Sequence, residues 1–302
     1  MILSIGEILF DIFPKYKRIG GAPFNFAFHL KKLGTPVRFI SRVGKDPEGE
    51  EILSKIKEYG FSTDDLQVDE THKTGKVIVK LDRNGIPDFS IQRNAAYDFL
   101  KTDRSILSTL DRSINLIYFG TLIQRSICGF ESIQTILAKR NSETKCMYDI
   151  NLRPDCYDKE IIMESLRRAD ILKLNNEELE TIKQMTGYKK ETNRYVEYLM
   201  NKFSLEMVAL TGGYRGSELF LKGQHTVHRS VKINDIVDTV GAGDGFAAML
   251  AIGFLRNWDP KKMLSVASEF AEQICRIEGA IPVNGLFYDK FRIIIADEEQ
   301  VN

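Results

Sequence analysis

The feature that most constrains this chain is a repeated alternation of two kinds of segment. Short apolar runs at 2–5, 37–40, 116–119, 146–150, 171–173 and 207–210 read as strands covered on both faces. Amphipathic stretches of helical length separate many of them, at 24–33, 49–59, 129–139, 161–168 and 193–202. Strands alternating with helices predict βαβ units, and so an α/β fold with a mainly parallel sheet. The last third is more helical, through 243–256 and 261–277. Two stretches break the rhythm. Residues 10–20 are aromatic and mixed, and residues 74–92 alternate before turning at Asp82-Arg83-Asn84-Gly85. Alternation ending in Asn-Gly reads as a hairpin. These pieces are either a small β layer projecting from the main sheet or a plain surface hairpin. At 302 residues the chain is two domains or one large α/β domain, with ample material for a core.

Composition narrows the function classes. Forty-two basic side chains balance 42 acidic ones, so no global charge draws the chain to nucleic acid or an anionic membrane. Cys128, Cys146, Cys156 and Cys275 include no CxxC pair, which argues against a zinc knuckle or a thioredoxin-type motif. The start of the chain has neither the basic nor the long apolar region of a secretory signal. No apolar run approaches the ~18 residues of a membrane span. A reduced, cytoplasmic enzyme is the expectation. His225 and His228 stand three apart in an expected strand, where they point to opposite faces, with no Cys or acidic partner nearby in sequence. They read as surface residues.

The segment with the most chemical content is Asp238-Thr239-Val240-Gly241-Ala242-Gly243-Asp244-Gly245-Phe246, followed directly by an apolar helical run. A glycine-rich turn entering a helix offers unpaired N–H groups at the positive end of the helix dipole, a site for phosphate. Asp244 would repel that phosphate unless it takes a proton from an attacking hydroxyl, as phosphoryl transfer to an alcohol requires. Taken alone, a Gly-x-Gly-Asp favours reading Asp244 as a helix cap. The segment is not a Walker A loop, since no Gly-Lys-Ser/Thr occurs, nor a Gly-x-Gly-x-x-Gly dinucleotide fingerprint.

Asp238-Thr239-x-Gly241-Ala242-Gly243-Asp244 resembles the C-terminal signature of the ribokinase-like (PfkB) carbohydrate kinases. Gly20-Gly21-Ala22-Pro23-Phe24-Asn25-Phe26-Ala27, followed by Leu33-Gly34, resembles the N-terminal signature of the same family. Order and separation match, and the resemblance covers essentially the whole chain. It implies a ribokinase-like three-layer α/β fold, one domain over 1–302, with a β lid from about 10–20 and 74–97. Gly245 and Met249 depart from the family pattern, where Ser, Thr or Ala and a small residue are usual. Both departures bear on helix packing more than on chemistry.

The resemblance also assigns roles residue by residue. Asp244 is the base, and Gly241, Ala242 and Gly243 form the anion hole. Asp11, Gly21 and Asn25 become sugar contacts. Read alone, Asp11 is a turn cap, and Gly21 and Asn25 belong to a strand-to-helix turn. Tyr148-Asp149-Ile150-Asn151-Leu152-Arg153 resembles the family's Asp-x-Asn-x-Arg segment, with Arg153 holding substrate or offsetting phosphate charge. The other reading is a structural Asp149–Arg153 pair. Asn175 and Glu178 match Asn-x-x-Glu, with Asn175 near the nucleotide phosphates and Glu178 orienting magnesium through water. They also read as a helix N-terminus. Thr211, Gly213 and Gly216 resemble the nucleotide loop, and Ser268 a border of the adenine pocket. Asp238 would help hold potassium, or else serve as a structural acceptor.

Several segments resemble the fructokinase-like members, most closely the bacterial ones: 6–14, 21–25, 95–98 and 119–126. They make Tyr97 and Gln124 further sugar contacts, with core or lid packing the other reading of Tyr97. The implied activity is ATP- and Mg2+-dependent phosphorylation of a primary hydroxyl of a monosaccharide, with D-fructose favoured. Ribokinase, 2-keto-3-deoxygluconate kinase, nucleoside kinase and a catalytically silent sugar-binding protein are the alternatives. A homodimer through the lid is expected, and no nucleic-acid or membrane partner.

Overall fold

A computed structural model of the chain describes residues 1–81, 87–108, 110, 113–189, 191–230, 235–282 and 284–297. The strands are β1 (Ile2–Ile5), β2 (Leu9–Ile12), β3 (Lys17–Gly20), β4 (Val37–Gly44), β5 (Leu66–Asp69), β6 (Gly75–Leu81), β7 (Pro87–Ile91), β8 (Leu116–Gly120), β9 (Lys145–Asp149), β10 (Ile171–Asn175), β11 (Met207–Thr211), β12 (Ser217–Leu221) and β13 (Gln224–His228). The helices are α1 (Ala22–Lys32), α2 (Pro47–Glu58), α3 (Arg104–Ser108), α4 (Ile127–Ala138), α5 (Lys159–Arg168), α6 (Asn176–Thr186), α7 (Thr192–Phe203), α8 (Ala242–Leu255), α9 (Pro260–Ile274) and α10 (Asp289–Asp297).

Among the described residues the main sheet runs β13-β12-β11-β10-β9-β8-β1-β4-β5. It is parallel from β5 to β11 and turns antiparallel at β12 and β13. Period-2 alternation sorts its side chains to two faces. Ile2, Tyr118, Met147 and Ile171 pack beneath α1, α2, α8, α9 and α10. Leu3, Ile117, Cys146 and Leu172 pack against α4, α5, α6 and α7. Three layers result, as the family resemblance implies.

Three strands depart from the sequence reading. β4 continues past its apolar run to Gly44, with Val43 buried in the core and Arg42 paired with Asp69 of β5. β5 itself was not anticipated, since Leu66 is buried but Val68 is exposed on a four-residue edge strand. β12 was also not anticipated. A second sheet, β3-β2-β6-β7, contains the two irregular stretches and settles them as a β layer. β6 and β7 pair antiparallel as expected of a hairpin, and the turn at 82–85 lies outside the described residues.

A buried ion pair fastens the chain leaving this second sheet to the main one. Asp98 accepts from Arg125 Nε and Nη2, both at 2.8 Å, just beyond β8. Removing one partner leaves the other charged and buried without compensation. Asp98→Ala is therefore expected to lower unfolding stability by about 3–5 kcal/mol, and the Asp98→Ala/Arg125→Met pair to recover most of it. Urea unfolding of the three variants measures this, and additive losses would contradict it.

Candidate active site

The sheet order places a switch point between β1 and β8. From β1 the chain moves to β4 and β5 on one side, then returns to β8 on the other. In open parallel sheets the crevice at such a point, beyond the carboxyl ends of the strands, binds ligands. Glu7, Thr121, Asp149, Asn175 and Thr211 all lie at or just beyond those ends.

Two helices start at this crevice without side-chain caps. Asp46, Ser126, Asp158, Asn175 and Asp259 each cap a helix by accepting a first-turn amide. The caps of α1 and α8 are instead Gly21, at φ 111°, and Gly241, at φ 79°, with no side-chain bond. Pro23 carries no N–H and the Ala242 amide donates to Thr239 O, which leaves the Phe24, Gly243 and Asp244 amides in those first turns without a side-chain cap, as an anion requires. A side chain at Gly241 would meet the backbone of Ala280 at 2.5 Å. Gly245 has no room for a Cβ because Ile274 and Phe270 of α9 fill that space. That is the packing reason for its departure from the family pattern.

Asp244 is the third residue of α8, not its cap. Its Oδ2 accepts from Asn25 Nδ2 of α1 at 2.8 Å, joining the first turns of the two uncapped helices. Burial pushes its pKa up to about 7, aided by Asp149, and opposed by the Asn25 hydrogen bond, Lys173 and Arg153. A carboxyl poised there suits a general base.

Lys173 was not singled out from the sequence. It lies on β10 with its Nζ 3.0 and 3.1 Å from the two oxygens of Asp149, which also accepts from the Tyr118 hydroxyl at 2.9 Å. A Cβ on Gly243 would stand 3.0 Å from that ammonium. The available signal was a lysine inside an apolar strand, Ile171-Leu172-Lys173-Leu174. Asp149 is thus committed to Lys173, and the structural Asp149–Arg153 pair does not form. Arg153 is exposed, and its charge holds down the pKa values of Glu7, Asp11 and Asp244 against burial. Asp11 on β2 is pushed up to about 6 by burial, with Arg153 and Arg18 opposing.

Two expected sugar contacts are corrected. Tyr97 is fully buried among Leu9, Val77 and Leu122, and its hydroxyl accepts from Arg125 at 3.0 Å. It is core packing under the second sheet. Gln124 donates to Gly120 O and Ser165 Oγ and accepts from Gln134, so its amide clasps β8, α4 and α5. The segment resemblance could not show that the polar atoms of both residues face inward.

On the expected nucleotide side, Asn175 and Glu178 form a capping box. Asn175 Oδ1 accepts from the Glu178 amide, and Glu178 accepts from the Asn175 and Leu152 amides, each at 2.8–2.9 Å. Thr211 ends β11, and the glycine loop to Gly216 follows it, with Gly212 beside Asn176 and with Gly213 and Gly216 at positive φ. Asp238 accepts from the Val240 and Gly279 amides, so the structural-acceptor role is filled. Ser268 is a correction. Its buried hydroxyl donates to Leu264 O and meets Ser217 Oγ at 2.6 Å, fixing α9 to β12 rather than facing a ligand. His225 also gains an acidic partner that was not visible in sequence, Glu218 at 2.7 Å across β12. Among the described residues no group of three or more His, Cys, Asp or Glu is set to hold a metal, and no helix is long and apolar enough to cross a membrane.

A family model described as pfkB family carbohydrate kinase matches residues 16–284. The chain is 31% identical over 274 residues to an uncharacterized sugar kinase from Pyrococcus horikoshii, covering 85% of this chain and 83% of that protein. It is 25% identical over 307 residues to fructokinase-2 of Oryza sativa subsp. japonica, covering 93% and 90%. Among solved structures, the fructokinase with bound ATP from Xylella fastidiosa has a TM-score of 0.83 at 20% identity, over 99% of this chain and 98% of that one. The Pyrococcus kinase in complex with ATP has a TM-score of 0.76 at 26% identity, over 93% and 94%.

The burial of Asp244 also predicts a stability signature. Its folded pKa lies above the unfolded value, so the folded state binds the extra proton. That stability is present below the ordinary carboxylate range and lost as pH rises through about 7. Asp244→Asn removes the loss. Its melting temperature is expected to exceed wild type by several degrees at about pH 8, with the gap closing toward about pH 4. Thermal unfolding at both pH values checks this, and a gap independent of pH contradicts it.

Proposed function

Because the chain belongs to the pfkB family of carbohydrate kinases, whose ribokinase-like α/β fold it shares, we propose that it moves the terminal phosphoryl group of ATP to a primary hydroxyl of a monosaccharide. The observation that carries this reading is Asp244, held by Asn25 inside the first turn of an uncapped helix. A base and an anion hole then occupy one place. Asp244 takes the proton of the attacking hydroxyl. The N–H groups from Gly241 to Asp244 stabilise charge on the transferring group.

Lys173 brings a positive charge against Gly243 and offsets the acidic residues around it. Arg153, whose guanidinium makes no hydrogen bond or ion pair among the described residues, is available to substrate. Asp11 and Asn25 supply acceptors for sugar hydroxyls. The second sheet carries Asp11 and acts as the lid, excluding water during transfer.

The donors near α8 are carboxylates, a hard-oxygen set that fits magnesium. The oxygens of Asp149 and Glu178 are already engaged by protein partners, so these residues would hold the ion through water. Bound there, magnesium would neutralise charge on the nucleotide phosphates.

D-fructose is the favoured acceptor, on the strength of the fructokinase-like segments and the rice relative. ATP as donor follows from the ATP complexes of the relatives. Purified protein with ATP and magnesium is expected to release ADP with fructose well above ribose, glucose, mannose, 2-keto-3-deoxygluconate and adenosine. A larger signal with another sugar keeps the Asp244 chemistry and overturns fructose. The same assay tests the base: kcat/KM for the sugar should rise with pH and level off above about 7. A profile flat from about pH 5 to about pH 9 would contradict it.

A further inference from the structure

Glu7 has no role in the mechanism above, yet its position is hard to explain as structure alone. It follows β1 at the switch point and is 4% exposed. Its Oε2 is buried without a hydrogen-bond partner. Burial pushes its pKa up to about 7. A buried carboxyl with an unpartnered oxygen costs stability, and such groups are rare unless something completes them.

The surroundings say what completes it. Glu7 borders a cavity of about 10 Å³ with Thr121, Asp149 and Asn151, roughly the room of one water. The first residues of α1, Ala22 and Pro23, close its other wall. From that same helix, Asn25 donates to Asp244 while its Oδ1 is also buried and unpartnered. Two acceptors without donors therefore flank the proposed base. Asp244 and Arg153 both act electrostatically on Glu7, which places it in the same cluster. The group that satisfies the Glu7 oxygen must be a donor of about the size of water, and a single hydroxyl of a polyol is one. A resident cation fits less well, because the nearby Asp149 oxygens are already taken by Lys173 and Tyr118.

We propose that Glu7 is a specificity-determining residue, whose free oxygen accepts a hydrogen bond from an acceptor hydroxyl other than the one that reacts at Asp244. This rests on the sugar-kinase reading and adds to it a second point of recognition. Glu7 positions the acceptor and takes no part in proton transfer.

The test compares wild type, Glu7→Ala and Glu7→Gln, using D-fructose and its monodeoxy analogues, or the hexose that turns over fastest and its analogues. Glu7→Ala is expected to raise the sugar KM about 10- to 100-fold, the value of a hydrogen bond to a charged group, with KM for ATP and kcat little changed. Glu7→Gln keeps an acceptor oxygen and should fall between. One deoxy analogue should be penalised by wild type yet lose nothing further in Glu7→Ala.

An unchanged sugar KM overturns the proposal. So does an equal penalty on every analogue, or a loss confined to kcat with a shifted pH profile. Melting temperatures and ATP affinity of both variants separate these results from misfolding. Failure of the kinase reading looks different: wild type would then form no ADP with any sugar. In that case calorimetric sugar binding without nucleotide applies the same comparison to Glu7, and absence of any sugar binding overturns the proposal as well.

Discussion

The hydrogen bond from Asn25 to Asp244 spans 219 positions of sequence and fixes the geometry on which the rest of the site depends. It joins the first turns of α1 and α8. Those turns begin at Gly21 and Gly241, whose positive φ values replace side-chain caps. One contact therefore brings together two helix N-termini without side-chain caps, a buried carboxyl and an amide oxygen awaiting a donor. The parallel sheet beneath delivers the remaining groups, because its strands all end on the same side.

Charge gives this arrangement its chemical character. Glu7, Asp11 and Asp244 are each pushed toward neutrality by burial, and each feels Arg153. Asp149 adds to the repulsion on Asp244 even though it is bonded to Lys173. The ammonium stands at the positive end of α8, an unfavourable place for a cation. Acidic neighbours offset that, and a bound phosphate would offset it further. Under the proposed function, an anion and a polyol entering the site would offset this imbalance. Such sites trade folding stability for readiness to bind.

Much of this was legible in the residues. Apolar runs alternating with amphipathic stretches were enough for an α/β fold with a mainly parallel sheet, and the family resemblance supplied the three layers. The two glycine-rich segments located both uncapped helices and the pair Asn25 and Asp244. What escaped the sequence has a common cause. Tyr97, Gln124 and Ser268 lie where expected, but each is turned inward by a partner remote in sequence: Arg125, Ser165 and Ser217. Lys173 and Glu7 escaped for the opposite reason. Their strands read as plain core, and only the fold shows that these side chains reach a crevice. β5 was invisible because charge pairs to β4, rather than apolar alternation, hold it in place.

The central claim is that Asp244 is the base of a phosphoryl transfer. The most direct measurement is ADP formation by Asp244→Asn beside wild type, with sugar and magnesium present, together with the ATP affinity of both. The account predicts a loss of at least about 100-fold in turnover with ATP affinity little changed. Turnover within a few-fold of wild type would contradict it.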